Sequence, residues 1–375
     1  MTTATSPEAA TQPFDLATLV RSALRSTPGY APAVIPPNAE GRQIKLDMNE
    51  SPYGPSPKTK AAVASFVETN RYPDFEQLDL RIAIGRYIGR SAEQIICGAG
   101  LDDVLNTMFH ALIEDGDEVI ISEPTFGVYR ALVSVYGGVT VNAPLSARFA
   151  LDPEEVLSRV TGRTKVIVIC SPNNPTGNIL DPDSIETIVE HAPCLVAIDE
   201  AYAEFGGVSH LDLLDKYPNV AVFRTMSKFA GLAGMRVGYG VFPEAMMPYL
   251  RPVTPAFQNI SMVSRVAAIA SLSDLEHLEG VVSQIVDDRD SLSESMAAIP
   301  GVQPLPSATN FILAKLPVAD AAPIVAELAR RGVFVRHFAR PELGIVDCLR
   351  VTVGTTDENQ IFLDELTDIV NGLES

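Results

Sequence analysis

The feature that most limits the fold is a series of short apolar, β-branched runs, each stopping abruptly in polar residues. The run 166–170 (VIVIC) ends in a Pro/Asn/Gly turn, and the run 194–198 (CLVAI) delivers Asp199, Glu200 and Tyr202. Unbroken apolar runs suit strands buried on both faces, and such strands belong to parallel sheets covered by helices. Over 119–240 they alternate with helical stretches, as a mainly parallel sheet demands. The expected fold is therefore α/β. In open sheets of this kind ligands bind beyond the carboxyl ends of the strands, which places Asp199 and its neighbours at a site.

Residues 224–236, RTMSKFAGLAGMR, set one lysine among groups suited to an anion. Thr225 and Ser227 offer hydroxyl donors, Gly231 and Gly234 permit close backbone approach, and Arg236 supplies a planar fork for a phosphate. Lys228 is the reactive amine among them. A lysine amine beside a bound aldehyde can condense with it, and pyridoxal phosphate carries both an aldehyde and a phosphate. That cofactor needs a carboxylate for its pyridine nitrogen, which Asp199 would provide. Tyr202 would donate to the ring's phenolic oxygen, and Asn173 or Asn174 can reach the same oxygen; Asn174 is taken as the site residue. Upstream, GAGLDD joins a strand to a helix beginning near Leu101, with Asp102 in its first turn. With Gly98 and Gly100 bare of side chains, the N–H groups at that helix start can hold the phosphate.

SPNNPTG, AIDEAY and TMSKFAGLAGMRVG, in that order, resemble the fold-type I pyridoxal phosphate-dependent aminotransferases, and within them the histidinol-phosphate aminotransferases. The likeness runs from about residue 30 to residue 354 and includes LDMNESPYGPSP, NRYPDF, EPTFGVY, SATNF and LRVTVGT. It implies a large domain with a mainly parallel sheet and a smaller α+β domain. By resemblance, Phe126 stacks on the cofactor ring without the hydroxyl of tyrosine-bearing relatives, and Leu101 offers only a backbone N–H where many relatives carry a serine. Tyr72 matches a tyrosine that reaches the cofactor of a neighbouring subunit, which implies a homodimer. Tyr30 matches one brought toward the substrate by an N-terminal arm, and Asn49 and Asn310 fall in motifs near the site. The implied activity passes an amino group from histidinol phosphate to 2-oxoglutarate, with Lys228 as general acid–base. An aromatic-amino-acid aminotransferase or a decarboxylase of a phosphorylated amino acid would use the same residues, so the motifs leave the donor open.

Arginine within an apolar strand, as in CLRVTV, is seldom buried without an anionic partner. Arg350 and Arg336 are accordingly candidates for holding the substrate's anion. Close prolines near 248–257 suggest a division into an arm over 1–42, a large domain over 43–255 and a small domain over 256–375. Within the last, a long helical stretch over 261–298 and strands near 311–315, 333–336 and 348–353 are expected.

Charge and cysteines limit the partners. A net charge of −19 opposes nucleic acid and anionic membranes, leaving small molecules and a second copy of the chain. Four scattered cysteines without a C-x-x-C pair suit a reducing compartment, and the first fourteen residues do not read as a signal peptide. A cytoplasmic protein is expected, with no metal site.

Overall fold

The computed structural model describes residues 16–26, 41, 43–254 and 260–373. Its strands are β1 (Ile44–Lys45), β2 (Ile95–Ala99), β3 (Glu118–Ile121), β4 (Val139–Asn142), β5 (Thr164–Cys170), β6 (Leu195–Asp199) and β7 (Val220–Thr225). There follow β8 (Val237–Val241), β9 (Gln303–Pro304), β10 (Phe311–Lys315), β11 (Val333–Phe334), β12 (Arg336–His337) and β13 (Cys348–Thr352).

Seven strands form the central sheet in the order β2-β8-β7-β6-β5-β3-β4. The pairs from β7 through to β4 are parallel, while β8 runs antiparallel to both β7 and β2. Only the segment 226–236 joins β7 to β8, too short for a helical crossover, so the chain must reverse there. The carboxyl ends of β2, β5, β6 and β7 therefore share one edge of the sheet with the start of β8. Side chains alternate between two buried faces. Val166, Val168, Ala197, Ala221 and Phe223 enter one core, and Ile167, Ile169, Val196, Ile198 and Val222 enter the other. Two covered faces explain why these runs are apolar throughout.

The second sheet is antiparallel, in the order β12-β13-β10-β9. Leu349 and Val351 of β13 pack into its core with Ile312, Phe362 and Leu366. Alternation then turns Arg350 to the opposite face, toward the large sheet.

The two cores meet along the helix Leu275–Ala297: Leu278 and Ile285 pack in the larger core with Ala267 and Ala268, while Leu292 and Met296 join the smaller. β1 pairs with β11, and Ile44 and Leu46 pack in the smaller core. Two local expectations are corrected. The expected strand over 333–336 is split, β11 pairing with β1 and β12 with β13. The stretch over 261–298 is two helices, Met262–Leu272 and Leu275–Ala297, parted at Ser273, whose carbonyl accepts Lys58 Nζ at 2.7 Å. Tyr30 lies outside the described residues. No helix among the described residues is long and apolar enough to cross a membrane.

The closest backbone approach at the shared edge is between Gly238 in β8 and the Gly100–Leu101 turn. A methyl group on Gly238 would lie within 2.7 Å of Leu101 Cα. Gly238→Ala should therefore destabilise the protein by about 1–3 kcal/mol, as overpacking does. Gly234→Ala, where an added carbon meets no atom within 4 Å, should stay within about 0.5 kcal/mol of wild type. Equal denaturation midpoints for the two variants would contradict this packing.

Candidate active site

The strands reaching the shared edge deliver its polar groups. At the end of β6, Asp199 is buried, its Oδ2 accepting the Tyr129 hydroxyl at 2.5 Å and its Oδ1 the Ala201 N–H at 3.0 Å. Burial pushes this carboxyl up to about 6 against those two donors. Its hydrogen-bond donors are both neutral, so a cation brought against it would find a carboxylate short of positive charge. Tyr129 was not anticipated, and no local sequence pattern marks it as the partner of Asp199. The Phe126 ring meets Tyr129 edge-on at 5.6 Å.

Following β7, Lys228 is half-buried and donates from Nζ to the Met48 carbonyl at 2.9 Å. Burial lowers its pKa to about 8, the Arg350 and Arg236 charges add to the effect, and Glu50 and Asp102 oppose it. An amine in this state is far more often neutral near neutral pH than an ordinary lysine, which favours a role as nucleophile or proton carrier.

One hydrogen-bonded cluster joins the two sheets. The Tyr202 hydroxyl accepts from Asn49 Nδ2 at 2.9 Å and from Asn174 Nδ2 at 3.4 Å. Asn174 Oδ1 accepts from Arg350 Nη1 at 2.6 Å, and Arg350 Nη2 donates to the Asp47 carbonyl at 2.6 Å. Asn310 Nδ2 donates to the Asn49 carbonyl at 3.0 Å, and Thr352 Oγ1 to Asn49 Oδ1 at 3.1 Å. Of the two asparagines, Asn174 bonds to Tyr202 while Asn173 donates to Pro124 O and Thr176 Oγ1. Burial pushes the Tyr202 hydroxyl well up, so it stays protonated and able to donate. Arg350 lies 5.1 Å from the Phe311 ring and 6.0 Å from Phe338. Arg336 stands directly opposite it in the β12–β13 register, so the two side chains leave the same face of the sheet.

An anion cradle lies at the other end of the edge. Gly100 has φ +89° and caps the helix Leu101–Leu112, whose first N–H is that of Leu101. A side chain on Gly100 would run into the Arg236 guanidinium. Arg236 Nη2 is 3.5 Å from Asp102 Oδ2, both half-exposed, while the Asp103 carboxylate turns back to accept the Ala99 N–H at 2.9 Å. Thr225 and Ser227, both buried, lie 3.0 Å apart through their hydroxyls. Tyr72 is 85% exposed, unlike the buried or half-buried groups at this edge.

The neutralisable amine, the buried carboxylate short of positive charge and the cradle of N–H, hydroxyl and guanidinium donors match the three parts of pyridoxal phosphate: aldehyde, pyridine nitrogen and phosphate. The residues present fit that group.

Comparison with known proteins agrees with this arrangement. The aminotransferase class I and II family profile matches residues 41–366. The chain is 39% identical over 338 residues to histidinol-phosphate aminotransferase of Roseiflexus castenholzii, covering 88% of this chain and 90% of that protein. It is 35% identical to histidinol-phosphate aminotransferase of Dehalococcoides mccartyi, covering 95% of this chain and 99% of that one. Among solved structures, histidinol-phosphate aminotransferase from Sinorhizobium meliloti in complex with pyridoxal-5'-phosphate superposes with a TM-score of 0.87 at 27% identity, over 94% and 98% of the two chains. On its sequence, fold and clustered site residues, the chain belongs to the aminotransferase class I and II family.

Proposed function

We propose that this enzyme uses pyridoxal 5'-phosphate to transfer the amino group of histidinol phosphate to 2-oxoglutarate, giving imidazole-acetol phosphate and glutamate in histidine biosynthesis. The observation that carries the choice of donor is the Arg336–Arg350 pair, directly opposed in register on one face of the small sheet. A phosphate presents more oxygens than a carboxylate, so two guanidiniums can share it through charge-assisted bonds. The names of the relatives support the same donor.

Bound in this site, pyridoxal phosphate supplies an aldehyde that takes up the amino group and a ring that draws electron density from the substrate's α-carbon. The protein's groups do the rest. Leu101 N–H, Thr225, Ser227 and Arg236 hold the phosphate, with Gly100 allowing the approach and Asp102 holding Arg236. Asp199 would supply the negative charge for the ring nitrogen, Phe126 would stack on the ring, and Tyr202 with Asn174 would hydrogen-bond its phenolic oxygen. Lys228 Nζ would take the proton from the substrate's α-carbon as general base and, as general acid, deliver it to the carbon of the cofactor's aldehyde group. Arg350 and Arg336 anchor the phosphate of the donor and then the carboxylates of glutamate, with Asn49 and Asn310 holding the loop beside them. Tyr72 and Tyr30 are read as reaching the second subunit of a homodimer, where the exposure of Tyr72 would be covered. Four free cysteines, three of them buried, suit the cytoplasm.

Lys228→Ala should bind the cofactor without covalent attachment and lose turnover. Retention of borohydride-fixed cofactor at wild-type stoichiometry would move the reactive amine elsewhere.

Asp199→Asn should cost at least about 100-fold in rate, as loss of a preorganised charge does. Its effect on stability has the opposite sign. In the stripped protein Asp199 titrates near 6 against an ordinary 3.8, so its contribution favours the fold below about 4 and is lost as pH rises through 6. The stripped variant should therefore exceed stripped wild type in stability by about 2–3 kcal/mol at pH 7.5, with the gap closing near pH 4. Denaturant titration at the two pH values measures it, and a variant less stable at pH 7.5 would count against the buried, uncompensated carboxylate.

The donor itself is tested with histidinol phosphate, phenylalanine and tyrosine, each paired with 2-oxoglutarate. Histidinol phosphate should give the highest kcat/KM. Arg336→Ala should lower it about five- to thirtyfold, equivalent to about 1–2 kcal/mol for a half-buried contact, and affect phenylalanine less. A higher kcat/KM for phenylalanine, with Arg336→Ala hurting all donors equally, would replace this reading with an aromatic-amino-acid aminotransferase.

A further inference from the structure

One carboxylate ties the loop beneath the cofactor to the segment that carries the arginines. Glu123 follows β3 closely and is 7% exposed at its side chain. Arg130 grips it from the helix that follows, Val128–Tyr136, with Nη2 at 2.8 Å from Oε2 and Nε at 3.3 Å from Oε1. Between these two residues lie Phe126, the ring-packing residue, and Tyr129, which holds Asp199. From the other sheet, Arg340 reaches across with Nη1 at 2.9 Å from Glu123 Oε1 and Nη2 at 3.5 Å from Oε2. Arg340 is anchored in turn by Glu342, whose Oε1 accepts its Nε at 2.7 Å. Arg340 lies three residues past His337 of β12 and two past Phe338, whose ring faces the Arg350 guanidinium at 6.0 Å. The chain between Arg336 and Arg340 thus has one end in the anion-binding pair and the other on Glu123.

We infer that Glu123 and Arg340 are positioning residues that set the distance between the cofactor loop and the arginine pair, and so tune substrate affinity without touching substrate. A solvated pair on a free loop would be worth little, but this one has its acidic partner buried, and each guanidinium sits on a segment that continues directly into the site. Loosening it frees Phe338 from its place over Arg350 while leaving Lys228, Asp199 and the phosphate cradle untouched. Its mark is therefore a rise in KM with kcat retained. The inference rests on the reading of Arg336 and Arg350 as the anion-binding pair, not on which donor they take.

The experiment uses the holoenzyme and whichever donor wild type turns over fastest, so an error in the donor assignment leaves it intact. Arg340→Ala should raise KM for that donor and for 2-oxoglutarate about three- to fivefold, the range of a half-exposed ion pair. Its kcat, bound-cofactor spectrum and melting temperature should stay at wild-type values, since Arg340 is 41% exposed. Arg340→Lys, which keeps the charge but loses the fork, should recover part of the effect. Raising salt should increase wild-type KM toward the variant value and change the variant less, because the clasp is screened. Unchanged KM in Arg340→Ala, or an equal salt response in both proteins, overturns the inference. A fall in kcat and melting temperature that Arg340→Lys fails to rescue would assign the pair to structure alone.

Discussion

The edge where this site forms depends on a buried ion pair. Glu200, fully buried, accepts from Arg224 Nε at 3.0 Å and Nη2 at 2.8 Å, from Ser209 Oγ at 2.9 Å and from His210 Nδ1 at 3.0 Å. Burial alone would raise its carboxyl, but the His210 and Arg224 contacts hold it below the ordinary range. Glu200 directly follows Asp199, and Arg224 directly precedes Thr225, so the pair clamps β6 to β7 where the two strands begin to part. The Glu200 N–H still donates to the Phe223 carbonyl at 2.8 Å. Removing one partner would strand a buried charge, at a typical loss of about 3–5 kcal/mol. The clamp matters because it fixes the separation between Asp199 at the end of one strand and Thr225 and Ser227 at the end of the next.

Parallel strands make such a site readable. Buried on both faces, β5, β6 and β7 are apolar to their last turn, and the first polar residues after each run mark the functional edge. Asp199, Asn174, Thr225, Ser227 and Lys228 were legible for that reason. Arg350 was legible from the opposite signal, a charge inside an apolar strand, and alternation with Leu349 and Val351 in the core explains why it faces outward to the large sheet. Tyr129 was hidden because a tyrosine on an amphipathic helix reads as packing, and only the tertiary placement of β6 beside it reveals the bond to Asp199. Glu200, in the same DEAY run, looked like one acidic residue among many, and its partner Arg224 lies on the neighbouring strand.

Where pairing is remote, the sequence carries less. The segment 333–336 has the composition of one strand, but its first half pairs with Ile44–Lys45, nearly the whole chain away, and its second half with β13. Nothing local in four residues encodes that change of partner. Core membership is just as hard to read locally. Prolines mark where a local pattern stops, whereas a core is defined by which side chains meet, and the helix Leu275–Ala297 contributes to both cores along its length.

The segment that links the two sheets explains how the catalytic and specificity functions stay separable. Residues 47–49 lend mostly backbone: the Asp47 carbonyl accepts Arg350, the Met48 carbonyl accepts Lys228, and the Asn49 carbonyl accepts Asn310. Asn49 adopts φ +53°, a left-handed conformation that asparagine tolerates better than most residues, and its side chain reaches Tyr202. A backbone carbonyl cannot be removed by substitution, so this joint constrains Lys228 and Arg350 together whatever the surrounding side chains become. Asp199, Asn174 and Lys228 stand on the side of the large sheet, and Arg336 and Arg350 on the small one. This segment, the Asn174–Arg350 bond, the Glu123–Arg340 pair, the Tyr202–Phe311 ring contact and the Ala308 N–H donating to the Gly177 carbonyl at 2.7 Å all join the two, so a change at the arginines leaves several independent contacts holding Lys228 in place.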